Sequence, residues 1–350
     1  MRQSYLHMAL AILILVSGCR KEPADSGLQL GFSAAATDAA PAPTKGTRED
    51  GNSIRKNPFG IYAVYSASEG AASGTNVFDD SGALSVSYYN TASGGYWEYT
   101  RNGTVPKYYW KRNQYYRFRA YHPYSADVVT GASDADRISI NYRIINDDYD
   151  LLVAFARRHP ATQGYGRVDM NFRHALAALR FRVAFDSSVQ PQDSRDEVTE
   201  FHIKGLQAAG NLSYTHNGDY LTEVLNWSTD AFDDMDEFYR WTGHREFGVN
   251  GYTPDGGTTV TPVDIFGTSA SDNVVFAIPQ LCSDPNHSGT FVHFKTAHGT
   301  QADHSAKLPE TQWEAGKIYT YTLLIKKSEV EVTVSIKDWN KVQSTLDIYY

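Results

Sequence analysis

Leu179-Arg-Phe-Arg-Val-Ala-Phe185 decides the fold. In an extended chain Leu179, Phe181, Val183 and Phe185 fall on one face and Arg180 and Arg182 on the other, the period of two that marks a half-buried strand. The pattern recurs at Val330–Ile336 (VEVTVSI), where Val330, Val332, Val334 and Ile336 alternate with Glu331, Thr333 and Ser335. It recurs again at Tyr115–Tyr121 (YYRFRAY), with Tyr116, Phe118 and Ala120 on one face and Arg117 and Arg119 on the other.

Outward from these, short apolar runs predict strands at Phe59–Tyr65, Leu84–Tyr88, Arg137–Arg143, Asp150–Ala156, Phe201–Ile203, Asn273–Ile278, Thr290–Phe294 and Ile318–Ile325. Gly, Pro, Asn and Asp punctuate them, the spacing of a β-sandwich. The 24 Tyr and 16 Phe suit pleated, half-buried surfaces. The 350 residues allow about two domains, and turn-rich Pro160–Gly166 is the expected break. The predicted architecture is all-β: two antiparallel sandwiches in tandem, 59–165 and 166–350, with residues 27–34 adding a strand to the first. The one helix expected is Ala231–Trp241.

Residues 1–18 have the layout of a signal peptide. Arg2 is the only Lys, Arg, Asp or Glu, an apolar run spans Leu10–Val16, and small residues precede Cys19. The run is shorter than the roughly 20 residues that cross a bilayer. Val16-Ser17-Gly18-Cys19 resembles a bacterial lipobox, which makes Cys19 the expected lipidation site and the outer membrane the expected anchor. Two or more acyl chains hold a protein stably on a membrane. Residues 19–58 then form a tether. Within it Leu28, Leu30 and Phe32 alternate as a short strand, followed by a stretch rich in Ala, Pro, Thr and Gly that includes Arg48.

The formal charge is −8 and basic residues are scattered, which gives no footprint for nucleic acid. With Cys19 modified, Cys282 has no intrachain partner. It has no neighbouring His or Lys to activate it, so a structural thiol is expected. The fragments Ser53-Ile54-Arg55-Lys56, Ser271-Asp272-Asn273 and Lys295-Thr296-Ala297 echo serine penicillin-recognising enzymes. The first, however, lies in a linker running into Asn57-Pro58, where a helix is disfavoured, and the third has Ala in place of Gly. The eleven His form no H-E-x-x-H, and no Cys pair has zinc spacing. His287, His293, His298 and His304 read as surface and loop residues. The acidic runs Asp147-Asp148 and Asp233–Glu237 do not match a calcium loop. No catalytic residue, metal or cofactor is expected. Tyr96-Trp97, Tyr108-Tyr109-Trp110 and Tyr121–Tyr124 could line a sugar-binding surface or a sandwich core, and their strand preference favours the core.

Several segments, taken in order, resemble the fimbrillins, the Bacteroidetes-type (type V) pilins and their Mfa-like relatives. They are Phe59-Gly-Ile-Tyr-Ala63, Tyr115–Tyr124, Asp150-Leu-Leu-Val-Ala154, Phe172 with His174–Ala177, and Trp313–Tyr321, followed by a last strand leading to Trp339. The resemblance implies two transthyretin-like sandwiches, export as a lipoprotein, and cleavage after an Arg beyond the first strand. That strand then leaves, and a strand from another subunit fills the groove. It also implies a structural role for His174. Carried onto this chain, it makes Arg48 the processing site, with Lys45 and Arg55 as rivals. It makes Leu28, Leu30 and Phe32 the removable strand, and Leu346, Ile348 and Tyr350 the face of a donor strand. Anchor subunits keep their lipid and are not cut. The expected role is thus a stalk or tip subunit on the cell surface, partnered by other fimbrial subunits through β-strand addition, with a host protein or glycan as a further partner. An unprocessed anchor and a monomeric glycan-binding lipoprotein are the alternatives.

Overall fold

Alternating apolar residues need a partner layer on each side that they fill, and this chain supplies three such layers of contact. A computed structural model describes residues 25–36, 54–78, 82–91, 94–124, 136–143, 149–186, 189, 195–207, 209–216, 223–229, 239–247, 261–266, 274–283, 289–298 and 302–339. Cys19, Arg48, Leu346, Ile348 and Tyr350 lie outside them.

The first strands are β1 (Asp25–Gln29), β2 (Phe32–Ala36), β3 (Phe59–Ser66), β4 (Thr75–Asn76), β5 (Leu84–Thr91), β6 (Gly94–Thr100), β7 (Tyr109–Lys111), β8 (Tyr115–His122), β9 (Ile138–Arg143) and β10 (Leu152–Arg158). A single turn of helix, α1 (Pro160–Gln163), precedes β11 (Val168–His174) and β12 (Ala177–Phe185). The remainder are β13 (Glu197–Lys204), β14 (Ala209–His216), β15 (Glu223–Thr229), β16 (Tyr239–Glu246), β17 (Val263–Asp264), β18 (Val275–Ala277), β19 (Phe291–Ala297), β20 (Ala302–Lys307), β21 (Lys317–Ile325) and β22 (Val330–Asp338). The protein is all-β, and its ladders are antiparallel except β2–β11 and β12–β21.

The largest sheet runs β2-β11-β10-β8-β3-β5-β6, with β4 beside β3. One face carries the N-terminal core, which includes Phe59, Ile61, Trp110, Phe118, Met170 and Phe172. In the C-terminal half, β17-β12-β21-β22 faces β16-β13-β19-β20. There the inward row of β12 meets the opposite layer, with Phe181 and Phe201 ring centroids 4.8 Å apart.

A third core joins these two. Tyr62, Val64, Tyr121 and Val153 on the outer face of the large sheet pack with Ile140 and Tyr142 of β9, Leu212 and Tyr214 of β14, and Phe276, Ile278 and Trp339. The sheet over them is β15-β14-β9. β9 lies before the expected break at 165 and β14 after it, yet they pair from Tyr214↔Ile138 to Ala209↔Arg143.

The structure departs from the sequence expectations in four places. β11 follows the expected break at 165–166 but pairs with β10 and β2, so the N-terminal sheet extends to His174 and the chain changes sheet at Ala175-Leu176. Arg117 and Arg119, which half-burial of β8 would leave in solvent, are buried because the third core covers that face. Arg117 is held by Asp136 at 2.9 Å and by the Ala71 carbonyl at 2.8 Å, and the Arg119 guanidinium lies 4.9 Å from both the Phe155 and Tyr214 rings. The expected helix at Ala231–Trp241 ends in β16 instead. There Trp241 stands opposite Phe201, and burial from Trp241 to Glu246 alternates with period two; residues 230–238 lie outside the described set. The expected strand at 27–34 is two strands, with consequences set out below.

Candidate functional site

The N-terminal strand segment crosses the sandwich from one edge to another. β1 lies antiparallel to β7, pairing Asp25 with Lys111 and Gln29 with Tyr109. The Leu30 amide then donates to the Tyr108 carbonyl at 2.8 Å. At Gly31 the chain swings across. Its carbonyl accepts from the Val168 amide at 2.9 Å, and β2 runs parallel to β11 from Phe32↔Val168 to Ala36↔Phe172. Residues 25–36 thus pair with two separate strands, β7 and β11.

Side chains follow the same path. Leu30, Phe32 and Ala34 alternate into the N-terminal core and are almost fully buried. The Phe32 ring meets Phe118 edge-on at 5.7 Å and Tyr99 at 5.9 Å, and Gln29 donates its side-chain amide to the Tyr99 hydroxyl at 3.2 Å. Ser33 hydrogen-bonds Asp169 on the outer side. Burial of Leu30 and Phe32 is worth about 3–6 kcal/mol together. Leu28 does not belong to this row. It is 50% exposed, because the switch of partner at Leu30-Gly31 places it on β1 outside the core. The buried face is therefore Leu30, Phe32 and Ala34, where the sequence pointed to Leu28, Leu30 and Phe32. Ala34 was missed because a small residue in an Ala-rich linker carries little periodic signal.

The slot that holds β2 is lined by Val168, Met170 and Phe172 on β11, Phe118 on β8 and Tyr99 on β6. Among the described residues β2 is the terminal strand of its sheet and forms a ladder with β11 alone there. Such an edge, once vacated, presents unpaired backbone and an apolar groove to any extended segment of matching pattern.

At the far end of the chain, Trp339 closes the described residues. It is buried between His174 and Phe276, with ring centroids 3.6 Å and 5.9 Å away. His174 in turn lies 2.7 Å from Asp150, and both are buried.

Residues considered for chemistry are accounted for by local neighbours. Lys295 pairs with Glu200 at 3.0 Å; Ser53 and 271–273 lie outside the described residues. His293 stacks on His202, His304 on Phe294, and His298 reaches Glu197 at 3.0 Å; His287 is not among the described residues. Burial lowers the His304 pKa. No three described His, Cys, Asp or Glu side chains form a metal-holding group. Cys282 is buried, its thiol pushed up to about 11 chiefly by burial, with Thr290 and Tyr321 as hydrogen-bond partners. Trp97, Tyr108, Trp110 and Tyr121 are core residues, whereas Tyr96 is exposed and stacks on Tyr89 at 5.6 Å.

Comparison with known proteins agrees with this architecture. A family model described as fimbrillin-like matches residues 47–339. A fimbrial protein from Bacteroides vulgatus ATCC 8482 superposes with a TM-score of 0.53 at 13% identity, over 89% of this chain and 100% of that one. A candidate cell adhesion protein from Bacteroides uniformis ATCC 8492 gives 0.50 at 17% identity, over 89% and 99%. At such identities the likeness is one of fold. No curated protein matches the chain. The family match spans both sandwiches and the core between them, from residue 47 to Trp339, and the chain belongs to the fimbrillin-like family.

Proposed function

We propose that this chain is a subunit of cell-surface fimbriae, with a structural rather than an enzymatic role. In this reading it is exported as a lipoprotein through Cys19 and is cut after Arg48. Residues 25–36 then leave with the lipid. A strand bearing Leu346, Ile348 and Tyr350 from another copy takes the vacated slot, and a tip subunit would also meet a host protein or glycan.

The observation that carries the reading is the seating of β2. Its row Leu30, Phe32 and Ala34 completes the N-terminal core, yet it lies on an edge strand bound through one parallel ladder. Strand and groove are thus complementary but separable. The donor candidate has the same alternation, since Leu346, Ile348 and Tyr350 are separated by Asp347 and Tyr349. An anchor that keeps its lipid and its first strand is the other reading, and the seated β1–β2 segment is compatible with it.

The test is the N-terminal sequence of the protein in filaments sheared from cells. A start at Glu49 supports cleavage and exchange. A blocked, lipid-bearing Cys19 in the filament sinks the exchange model and assigns the anchor role.

A further inference from the structure

A cavity of about 260 Å³ opens at the end of the large sheet where β8 begins and β10 ends. Its walls include Glu69, Tyr115, Arg117, Arg157, Arg158 and His159. Three arginines therefore line one recess of a chain whose formal charge is −8. Among the described residues, Arg117 pairs with Asp136 and Arg157 with Glu69, and Arg158 has no carboxylate partner.

The three arginines are held in different ways. Arg117 is buried and fixed by Asp136 and the Ala71 carbonyl. Arg158 is aimed by two backbone carbonyls, those of Gly164 and Gln163, each at 3.2 Å. Arg157 meets Glu69 at 3.1 Å, with side chains 40% and 59% exposed. An ion pair that open to water contributes little, so an incoming carboxylate can displace Glu69. The remaining wall is aromatic: Tyr115 and His159 stack at 4.1 Å with planes 8° apart. Flat rings suit the C–H faces of a sugar.

We infer that this cavity binds one sugar ring bearing a carboxylate, a uronic-acid type of unit. The carboxylate exchanges with Glu69 on Arg157, and the ring lies against the Tyr115–His159 wall. The volume is below the roughly 300–1,000 Å³ of pockets that take drug-sized ligands, in keeping with a single ring. The inference does not depend on the fimbrial reading, because the cavity lies apart from the β2 slot.

Titration calorimetry on the purified full chain, with sodium glucuronate, glucose and sodium acetate as probes, tests it. Glucuronate is expected to bind at least about tenfold more tightly than either other probe, since it alone engages both walls. Arg157→Ala should weaken glucuronate by about tenfold or more, with thermal unfolding unchanged. Glu69→Gln should tighten it, which a merely structural ion pair would not do. Absence of glucuronate binding, equal binding of glucose or acetate, or an Arg157→Ala variant that binds as the parent does would each overturn the assignment.

Discussion

The imidazole of His174 lies flat on the indole of Trp339, with ring centroids 3.6 Å apart and planes within 3°. One residue ends the N-terminal sheet; the other is the last described residue of the chain. Asp150 holds the imidazole from behind at 2.7 Å. The stack therefore ties the end of β22 to the junction of the two halves. Trp339→Ala should cost about 3–5 kcal/mol, as large-to-small changes in cores do. Urea unfolding measures this, and a loss below about 1 kcal/mol would show that the stack is not a structural tie.

The N-terminal segment gives a local prediction. Phe32→Ala should loosen β2 while leaving the rest of the fold in place, because β2 is an edge strand. Hydrogen exchange at the amides of Val168–Phe172 should accelerate in that variant. Leu28→Ala should be silent, within about 0.5 kcal/mol, because that side chain already faces water. Equal exchange rates in Phe32→Ala and the parent would contradict the seating.

Cys282 should resist iodoacetamide at pH 8 in the folded protein and react once urea unfolds it. Its thiol is pushed from an ordinary 9.0 up to about 11. Because the folded state holds the proton more tightly, this group's contribution to stability is full below about pH 9 and lost as pH rises through about 11. The buried Tyr121 and Tyr321 hydroxyls, also raised, weaken the fold in the same direction at higher pH. Stability that increases between pH 9 and 11 would contradict this account. Cys282→Ser is expected to leave secretion and assembly intact.

Lipidation is tested directly. In a host that processes lipoproteins, Cys19→Ser should abolish incorporation of labelled acyl chains. Label that persists on the variant would place the modification elsewhere.

Much of the strand pattern was legible because alternation was strong. Leu179–Phe185 and Val330–Ile336 lie within β12 and β22, and Tyr115–Tyr121 lies within β8. β20 carries ADHSAK, with one fully buried side chain, and such a polar edge strand has no periodic signal. The helix expected at Ala231–Trp241 overlaps β16 at Tyr239–Trp241 alone, and the rest of that strand, Thr242–Glu246, is too polar to carry an apolar period. The burial of Arg119 was illegible for a different reason. The residues that cover it, Phe155 and Tyr214, lie 36 and 95 positions away in the chain, so no local window contains them. Leu30 and Phe32 were readable by alternation, whereas the break at Gly31 depends on β7 and β11 competing for the same segment.

The middle core has a mechanical consequence. Tyr62 and Tyr121 come from one half, Leu212 and Trp339 from the other, and all pack in the same interior. The ladder between β9 and β14 crosses at the same level. Two sandwiches joined in this way cannot swing on a linker, since bending there would open a packed interior. In a fibre built from such units, the drag of flowing liquid would be absorbed where one copy meets the next, and each copy would act as a stiff link.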